Sequence, residues 1–476
     1  MALEERKVLM LSPVLGVVFA LWLGAALLRW VAGFWVLTAV LLSFPASALV
    51  TRPLSVGAVT GYQAGLILFA LAAAALPVLA WRSRDLLRNA HPFLTVHAAL
   101  VGSLIVWSAL GVAVAPLLFA DLLVLAPTRT DSTALTRLAD VQERWGHWRQ
   151  LTVMLLGYLS LVLLIAQSGA SRQWSQHSVL VLALFIVGGG LLHWLLLVCG
   201  LPLPEFIHNH PVYYQGADQE LVPGLRRLSG FFPEPSNLAR ALVGVYAYAV
   251  AAALRSERRW PWVLLALVAL SVGVRSTSFT FVVAAPVAGG AALVLSLRVA
   301  LVRRIAMAFG IAVGTAVCLQ FLEWIFLSGL LETGLDGGLV GQKKGSFSLH
   351  DRLAGDWRSI VLVWESWFLG VGAGGHRSFS LVPNQLATLG LPGCLVLGAL
   401  WLQVVRRGWP GEQVYSESKS MPHRAVSAAA GAFFIGQLVA SCASDPDLVR
   451  FELWFPLGVW LGCTLAPVIS PNVNTA

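Results

Sequence analysis

The chain predicts an all-α, polytopic integral membrane protein. Three observations carry that prediction: its composition, the recurrence of apolar runs of spanning length, and the placement of its arginines. Hydrophobic residues make up 58% of the sequence, charged residues only 12%, and mean hydropathy is +0.77. A helix needs about 20 mostly apolar residues to cross a bilayer, and about thirteen segments meet that rule. They centre near Val18, Leu41, Leu68, Ile105, Leu159, Phe185, Val245, Leu267, Ala284, Val313, Val396, Phe434 and Val459. Nothing is left over for a soluble domain, so residues 1–476 read as a single integral membrane domain of about 12–13 transmembrane helices. The first apolar stretch lacks a small-residue cleavage site with a polar flank and reads as a retained span.

A net charge of +9 would suggest nucleic acid in a soluble protein. Here the basic residues sit in short loops between spans, which is the positive-inside pattern and gives nucleic acid no role. The clusters Arg82/Arg84/Arg88, Arg255/Arg258/Arg259, Arg298/Arg303/Arg304 and Arg406/Arg407/Lys419/Arg424 are therefore expected on the cytoplasmic side. Counting spans between them places loops 127–150, 201–236, 328–382 and 444–450 on the outer side, and the N-terminus with them. The five cysteines fall singly in or beside apolar segments, which predicts neither a disulfide framework nor a zinc site.

The two longest outer loops, about 201–236 and 328–382, are rich in Arg, His and Gly and are expected to form an active-site cap. The first ends in Arg226-Arg227-Leu228-Ser229-Gly230-Phe231-Phe232-Pro233-Glu234-Pro235-Ser236. Proline is favoured at the first helical position, so a helix is expected from Pro235, with Glu234 and Ser236 suited to its positive end. Arginine is costly against lipid, so cations here predict a cavity that holds something negative. Glu234 is then either a partner for Arg226 or Arg227 or a base beside the anion. The second loop carries Arg352 and Arg358, then a glycine cluster from Gly370 to Gly375, then His376 and Arg377. Such glycines permit close backbone approach.

These segments resemble the superfamily of bacterial O-antigen ligases and polymerases, nearest the oligosaccharide repeat-unit (Wzy-type) polymerases. One signature is Arg-x-x-Gly-x-Phe-x-Glu-Pro-Ser, met by Arg227, Gly230, Phe232, Glu234, Pro235 and Ser236. The other is an arginine about a span-length before Gly-Val-Gly-x-Gly and then Gly-x-x-Gly, met by Arg352, Gly370-Val371-Gly372-Ala373-Gly374 and Gly390-Leu391-Pro392-Gly393. The resemblance implies a GT-C-like helical fold in the bacterial inner membrane. It implies glycosyl transfer on the periplasmic face from a polyprenyl-diphosphate-linked oligosaccharide donor to a glycan acceptor, without metal, nucleotide sugar or other cofactor. A chain-length regulator and a flippase would be its partners.

A sugar leaving diphosphate develops negative charge that guanidinium groups stabilise while staying charged at any working pH. Arg227 and Arg352 are the expected diphosphate ligands, with Arg226, Arg275 and Arg377 in reserve; Arg275 equally suits the end of a short span. The attacking hydroxyl needs a base. The resemblance points to His376, with Glu234 as the rival. The interval from His376 to Gly390 is longer than in the ligase branch and argues for a polymerase.

Other readings are a ligase that transfers the glycan to lipid A core or protein, and a lipid-linked glycan flippase or secondary transporter. A transporter would carry ionisable groups at mid-span, whereas here only Glu323, Glu365 and Arg240 come near span interiors. Asp445-Pro446-Asp447 looks like a metal-holding acidic pair but reads as a solvated turn with Arg450 and Glu452 close by. His208 and His210 have no further ligands near them and read as polar loop, and His193, inside an apolar run, reads as an interhelical hydrogen-bond donor. HExxH, GxSxG and GxxxxGK[ST] motifs are absent.

Overall fold

The computed structural model describes residues 10–45, 48–55, 58–84, 92–125, 135–204, 207, 220–222, 225–296, 347–408, 421–444 and 447–465. Among these it forms α1 (Pro13–Leu27), α2 (Val31–Leu42), α3 (Ala64–Arg82), α4 (Pro92–Leu118), α5 (Arg144–Gln167), α6 (Gly169–Val198), α7 (Pro235–Arg255), α8 (Trp260–Arg275), α9 (Phe279–Ser296), α10 (Phe347–Glu365), α11 (Leu381–Gly408), α12 (Met421–Ser444) and α13 (Phe451–Leu465). The helices α3, α4, α5, α6, α7 and α11 are long and apolar enough to cross a membrane, and α1, α2, α8, α9, α12 and α13 are shorter apolar helices. This is a helical, polytopic membrane architecture. Every predicted span centre falls in a helix except Val313, which lies outside the described residues.

Small strands, which hydropathy does not predict, flank the helices. A three-stranded antiparallel sheet joins β1 (Met10–Leu11), β2 (Ala48–Ser55) and β3 (Ala58–Gln63). Two hairpins, β4 (Leu123–Leu125) with β5 (Leu135–Arg137) and β6 (Glu220–Val222) with β7 (Leu225–Arg226), complete the described strands.

The centre of the bundle is α7, buried along almost its whole length against α8, α9 and α12. Lipid offers no hydrophobic drive between helices, so close approach of small residues does the packing. A Cβ at Gly244 of α7 would stand 2.8 Å from Gln437, and one at Gly436 of α12 would stand 2.8 Å from the Val243 carbonyl. Elsewhere a polar knot ties three spans. The His97 ring of α4 has Nε2 2.8 Å from the Tyr158 hydroxyl of α5 and Nδ1 3.3 Å from Gln403 Oε1 of α11. Glu452, expected close by a solvated acidic turn, is instead fully buried in the first turn of α13.

The bundle has two chemically distinct ends. Arg82 and Arg84, Arg255 to Arg259, and Arg406 and Arg407 gather at one of them. Contacts there include Gln167 donating to the Leu79 carbonyl and the Arg407 guanidinium 5.9 Å from the Phe93 ring centre. Trp30, Trp81 and Trp260 are exposed at this end. The opposite end carries the two signature segments.

Candidate functional site

The first signature is braced by the transmembrane bundle. Its Gly230 adopts φ +58°, and a Cβ there would stand 3.2 Å from the Gly190 amide nitrogen in α6, so only glycine lets the chain lie this close to the helix. His193 of α6 fixes the segment: its Nδ1 accepts the backbone N–H groups of Ser229 (3.2 Å) and Gly230 (3.1 Å). The histidine read as an interhelical donor is thus an acceptor for loop backbone, because two N–H groups at a tight turn need a partner in a buried setting. Phe231 stacks on Phe44 at 4.6 Å, and Phe232 is buried.

Pro235 then occupies the first helical position of α7, as expected. Glu234 is the N-cap residue with extended φ −140°, and its main-chain carbonyl accepts from Asn237 (3.1 Å) and Leu238 (3.2 Å). Its carboxylate makes no cap bond. It accepts from the Ser236 hydroxyl (3.1 Å) and stays exposed on the surface of this end.

The second signature builds its own small core. Ala115, Phe119, Val124, Leu138, Val141, Leu362, Val371 and Ala387 form a cluster separate from the main one, joining the end of α4, the β4–β5 hairpin, α10 and the glycine segment. The two glycine motifs interlock. Gly370 (φ +83°) and Gly390 (φ +68°) face each other: a Cβ at Gly370 would stand 2.5 Å from the Gly390 nitrogen, and one at Gly390 would stand 2.4 Å from the Leu369 carbonyl carbon. Gly390 breaks α11, and the groups freed by the break are satisfied nearby. Trp107 Nε1 donates to the Leu389 carbonyl (2.7 Å), and Leu391 N–H donates to the Phe368 carbonyl (2.8 Å). Such broken helices survive at membrane depth only where protein buries the irregular backbone.

His376 lies in this cap, 3% exposed. Its Nδ1 accepts the Leu125 N–H of β4 (3.2 Å), so the ring proton sits on Nε2. That proton goes to the Ser359 hydroxyl 2.8 Å away, whose own hydrogen goes to the Gly355 carbonyl (2.9 Å). Burial, reinforced by the Arg358 charge, pushes the imidazole pKa down to about 3. A base needs an accessible lone pair, and this ring has spent its own on Leu125. The geometry therefore redirects the expectation that His376 removes the acceptor proton: it pins the hairpin to the cap.

Asp356 organises the adjoining turn, accepting the N–H groups of Phe379 (3.0 Å) and Ser380 (3.1 Å) and the hydroxyls of Ser378 and Ser380. The turn holds Phe379 with the Arg352 guanidinium 5.9 Å from its ring centre and that of Arg377 at 5.8 Å. Arg358, the other arginine of α10, is committed to the Glu365 carboxylate (2.7 Å) and to the Leu123 carbonyl (2.9 Å from Nε).

The two signatures meet at Arg227. Its Nε donates to the Thr277 hydroxyl (3.2 Å) just past α8. Its pKa is lowered chiefly by burial and next by the charge of Arg352, while Glu234 acts in the opposite sense. Arg227, Arg352 and Glu234 thus share one electrostatic field, although α7, α8 and α9 intervene in sequence. Arg377 joins them through Phe379. Arg275 ends α8 two residues before Thr277. Arg226 lies in β7, and its side chain is outside the described set.

Sequence reasoning missed Thr277, Asp356, Phe379 and Ser359. Asp356 alone left a signal, as the acidic residue facing a Ser-Phe-Ser segment that precedes a helix. Among the described residues no group of three or more His, Cys, Asp or Glu is placed to hold a metal ion. Asp447 Oδ1 accepts the Val449 N–H (2.8 Å), while Asp445, His208 and His210 lie outside the described residues.

Fold and site together define a polytopic helical membrane protein with a group of arginines, Arg227, Arg352 and Arg377, at the end remote from its basic loops. Comparison with protein-family models, curated proteins and solved structures gives no match to this chain.

Proposed function

We propose that the protein is a glycosyltransferase that polymerises polyprenyl-diphosphate-linked oligosaccharide repeats on the outer face of the membrane. The observation that carries the reading is that the charges of Arg352 and Glu234, from the two separate signatures, both act on the buried Arg227 guanidinium, which Thr277 holds. Two guanidinium groups in one partly desolvated field repel each other, so the arrangement favours a ligand that carries at least two negative charges. A lipid diphosphate meets that need. The positive-inside pattern supports a cytoplasmic position for the opposite, basic end and an outer position for this site.

In the reaction the acceptor hydroxyl loses its proton to the Glu234 carboxylate as its oxygen bonds to the anomeric carbon of the donor. The bond from that carbon to the phosphate oxygen breaks, and its electron pair leaves on the diphosphate. Arg227 and Arg352 stabilise the charge that develops there. Arg227 is held in place by Thr277, and Arg352 is held beside Phe379. Glu234 suits the base role because its oxygens face outward at a helix start and leave the main chain to satisfy the helix.

The test uses purified protein in proteoliposomes with a lipid-linked repeat unit, reading the ladder of products. Glu234→Gln keeps shape and one acceptor oxygen but cannot take a proton. It is expected to lower turnover by about 100- to 10,000-fold, the range for loss of a general base, with donor binding retained. A ladder of normal length and rate from Glu234→Gln would remove the carboxylate from the reaction. Failure of the wild-type protein to elongate any lipid-linked glycan would remove the reaction itself.

A further inference from the structure

Helix α10 is built inside out. Its protein-facing side carries Gly355, Ser359, Leu362 and Ser366, all buried. Its exposed side carries Leu353, Trp357, Ile360 and Trp364, at spacings of four, three and four residues that align them on one face, and the exposed Trp367 follows in the turn after it. Trp357 and Trp364 are 66% and 65% exposed. In water, so large a contiguous apolar face is costly at about 25 cal/mol per Å². A helix with small polar residues inward and tryptophans outward therefore has an apolar neighbour that is not among the described residues.

The rest of the structure identifies that neighbour. Among the described residues, every exposed tryptophan outside this helix and the turn after it sits at a helix end: Trp30, Trp81 and Trp260 at the basic end, Trp145 at the site end. That is the distribution of membrane–water boundary anchors. The face of α10 is continuous with one of these surfaces. Trp367 packs edge-on against Phe119 at 5.4 Å, directly after the exposed Leu117 and Leu118 that end α4. The first residue past the break in α11, Leu391, is exposed as well.

We infer that α10 lies along the outer membrane–water boundary with its tryptophan face among the lipids, and that this sets Arg352 at headgroup depth to receive a phosphate carried on a lipid. Arg352 is on the first turns of the same helix, beside the apolar face. The boundary seat stands on the helix alone; the phosphate follows only on the reading of Arg227 and Arg352 as diphosphate ligands.

The experiment has two arms. In the first, Trp357→Cys and Trp364→Cys are each labelled with an environment-sensitive fluorophore in vesicles of phosphatidylethanolamine and phosphatidylglycerol, with labelled parent protein subtracted. Lipids brominated near the headgroup end of the acyl chain are expected to quench both positions about as strongly as a label at the lipid-facing Leu117. Efficient quenching by aqueous iodide with none from brominated lipid would overturn the seat, and so would protection from both quenchers. Both positions are surface sites, so a misfolded variant is recognised by the loss of Leu117-like quenching from a second label at Leu391. In the second arm, Trp357→Glu with Trp364→Glu is compared on a long-chain polyprenyl donor and on a short-chain, water-soluble one. A KM raised about tenfold or more for the long-chain donor, with the short-chain donor unchanged, is the expected result. Equal loss on both donors would overturn the lipid-borne delivery. Absence of transfer by the parent protein on either donor would count against the glycosyltransferase reading and leave the first arm to decide the seat.

Discussion

The two halves of the site are braced in different ways. The segment holding Arg227 and Glu234 is fixed to transmembrane spans: glycine on glycine against α6, two backbone N–H groups on His193, and an arginine Nε on Thr277. The half holding Arg352 and Arg377 is fixed to a small cap whose apolar cluster is separate from the main core. Each half uses a buried histidine in the same way, its Nδ1 accepting main-chain N–H, and in His376 the other nitrogen is taken as well, by Ser359. The difference lies in what each half can lose. The bundle half rests on many spans, whereas the cap half hangs on a few contacts around Gly370, Gly390, Asp356 and His376.

The contrast breaks most completely at Gly390. Gly390→Val forces a β-branched residue to φ +68°, costing about 1–3 kcal/mol for the backbone alone, and drives its Cβ into the Leu369 carbonyl. Glycan transfer is expected to disappear. Hydrogen exchange is expected to show amides around Val371, Gly372 and Leu391 losing protection while those of α7 and α12 keep theirs. Equal loss of protection in α7 would make the cap and the bundle one cooperative body.

The arginines come next. Arg227→Ala and Arg352→Ala are each expected to lower the transfer rate by about 100- to 1000-fold, the range for removing one transition-state donor. Lysine should rescue Arg227 less well than Arg352, because the Arg227 fork spends Nε on Thr277 and aims its remaining nitrogens. Rates within threefold of wild type for both alanine variants, at equal membrane abundance, would dismantle the shared anion site. A smaller effect belongs to Thr277→Val, which removes that acceptor. It is expected to cost about 1.5 kcal/mol, or about tenfold in rate, as for one hydrogen bond to a charged group, with Arg352→Lys kinetics unchanged in sensitivity.

The smallest effect on turnover is expected from His376. Its pKa near 3 in the folded cap lies below the ordinary 6.5. The unfolded cap therefore binds more protons as pH falls through 6.5, and cap stability declines from there down to about pH 3. Activity should show no histidine inflection between pH 6 and 7. His376→Gln, able to accept from Leu125 and donate to Ser359, should keep most activity and lose the acid sensitivity of cap exchange. An activity step near pH 6.5 that His376→Gln abolishes would return the base role to the histidine.

Much of this architecture was legible in the chain. Spans announced themselves by length and apolarity, and Pro235 after Glu234 marked the start of α7. The paired glycine motifs were visible too, but their meaning was not: sequence shows that glycine is present, while only the fold shows that Gly370 and Gly390 meet each other. The acceptor role of His193 Nδ1 was not legible because these partners are backbone N–H groups on a distant loop, which leave no trace in side-chain spacing. His376 was misread for a related reason. Its neighbours Arg377 and Gly375 look like an active-site turn, whereas Leu125 and Ser359, which consume its nitrogens, come from two other elements. The tryptophan face of α10 was present at helical spacing, but it lay inside a loop judged by its polar residues.

The polar knot of His97, Tyr158 and Gln403 bears on how the protein is made. Gln403 is 306 residues after His97, so α4 and α5 are synthesised long before α11 reaches the membrane. A histidine and a tyrosine exposed to hydrocarbon are poorly satisfied until a third polar group arrives. The late helix thus meets a donor already in position, the His97 Nδ1–H that the Gln403 Oε1 accepts, while Nε2 is paired with the Tyr158 hydroxyl. A helix interrupted at Gly390 could slide by a turn against its neighbours, and Gln403 gives it a single register in which to stop.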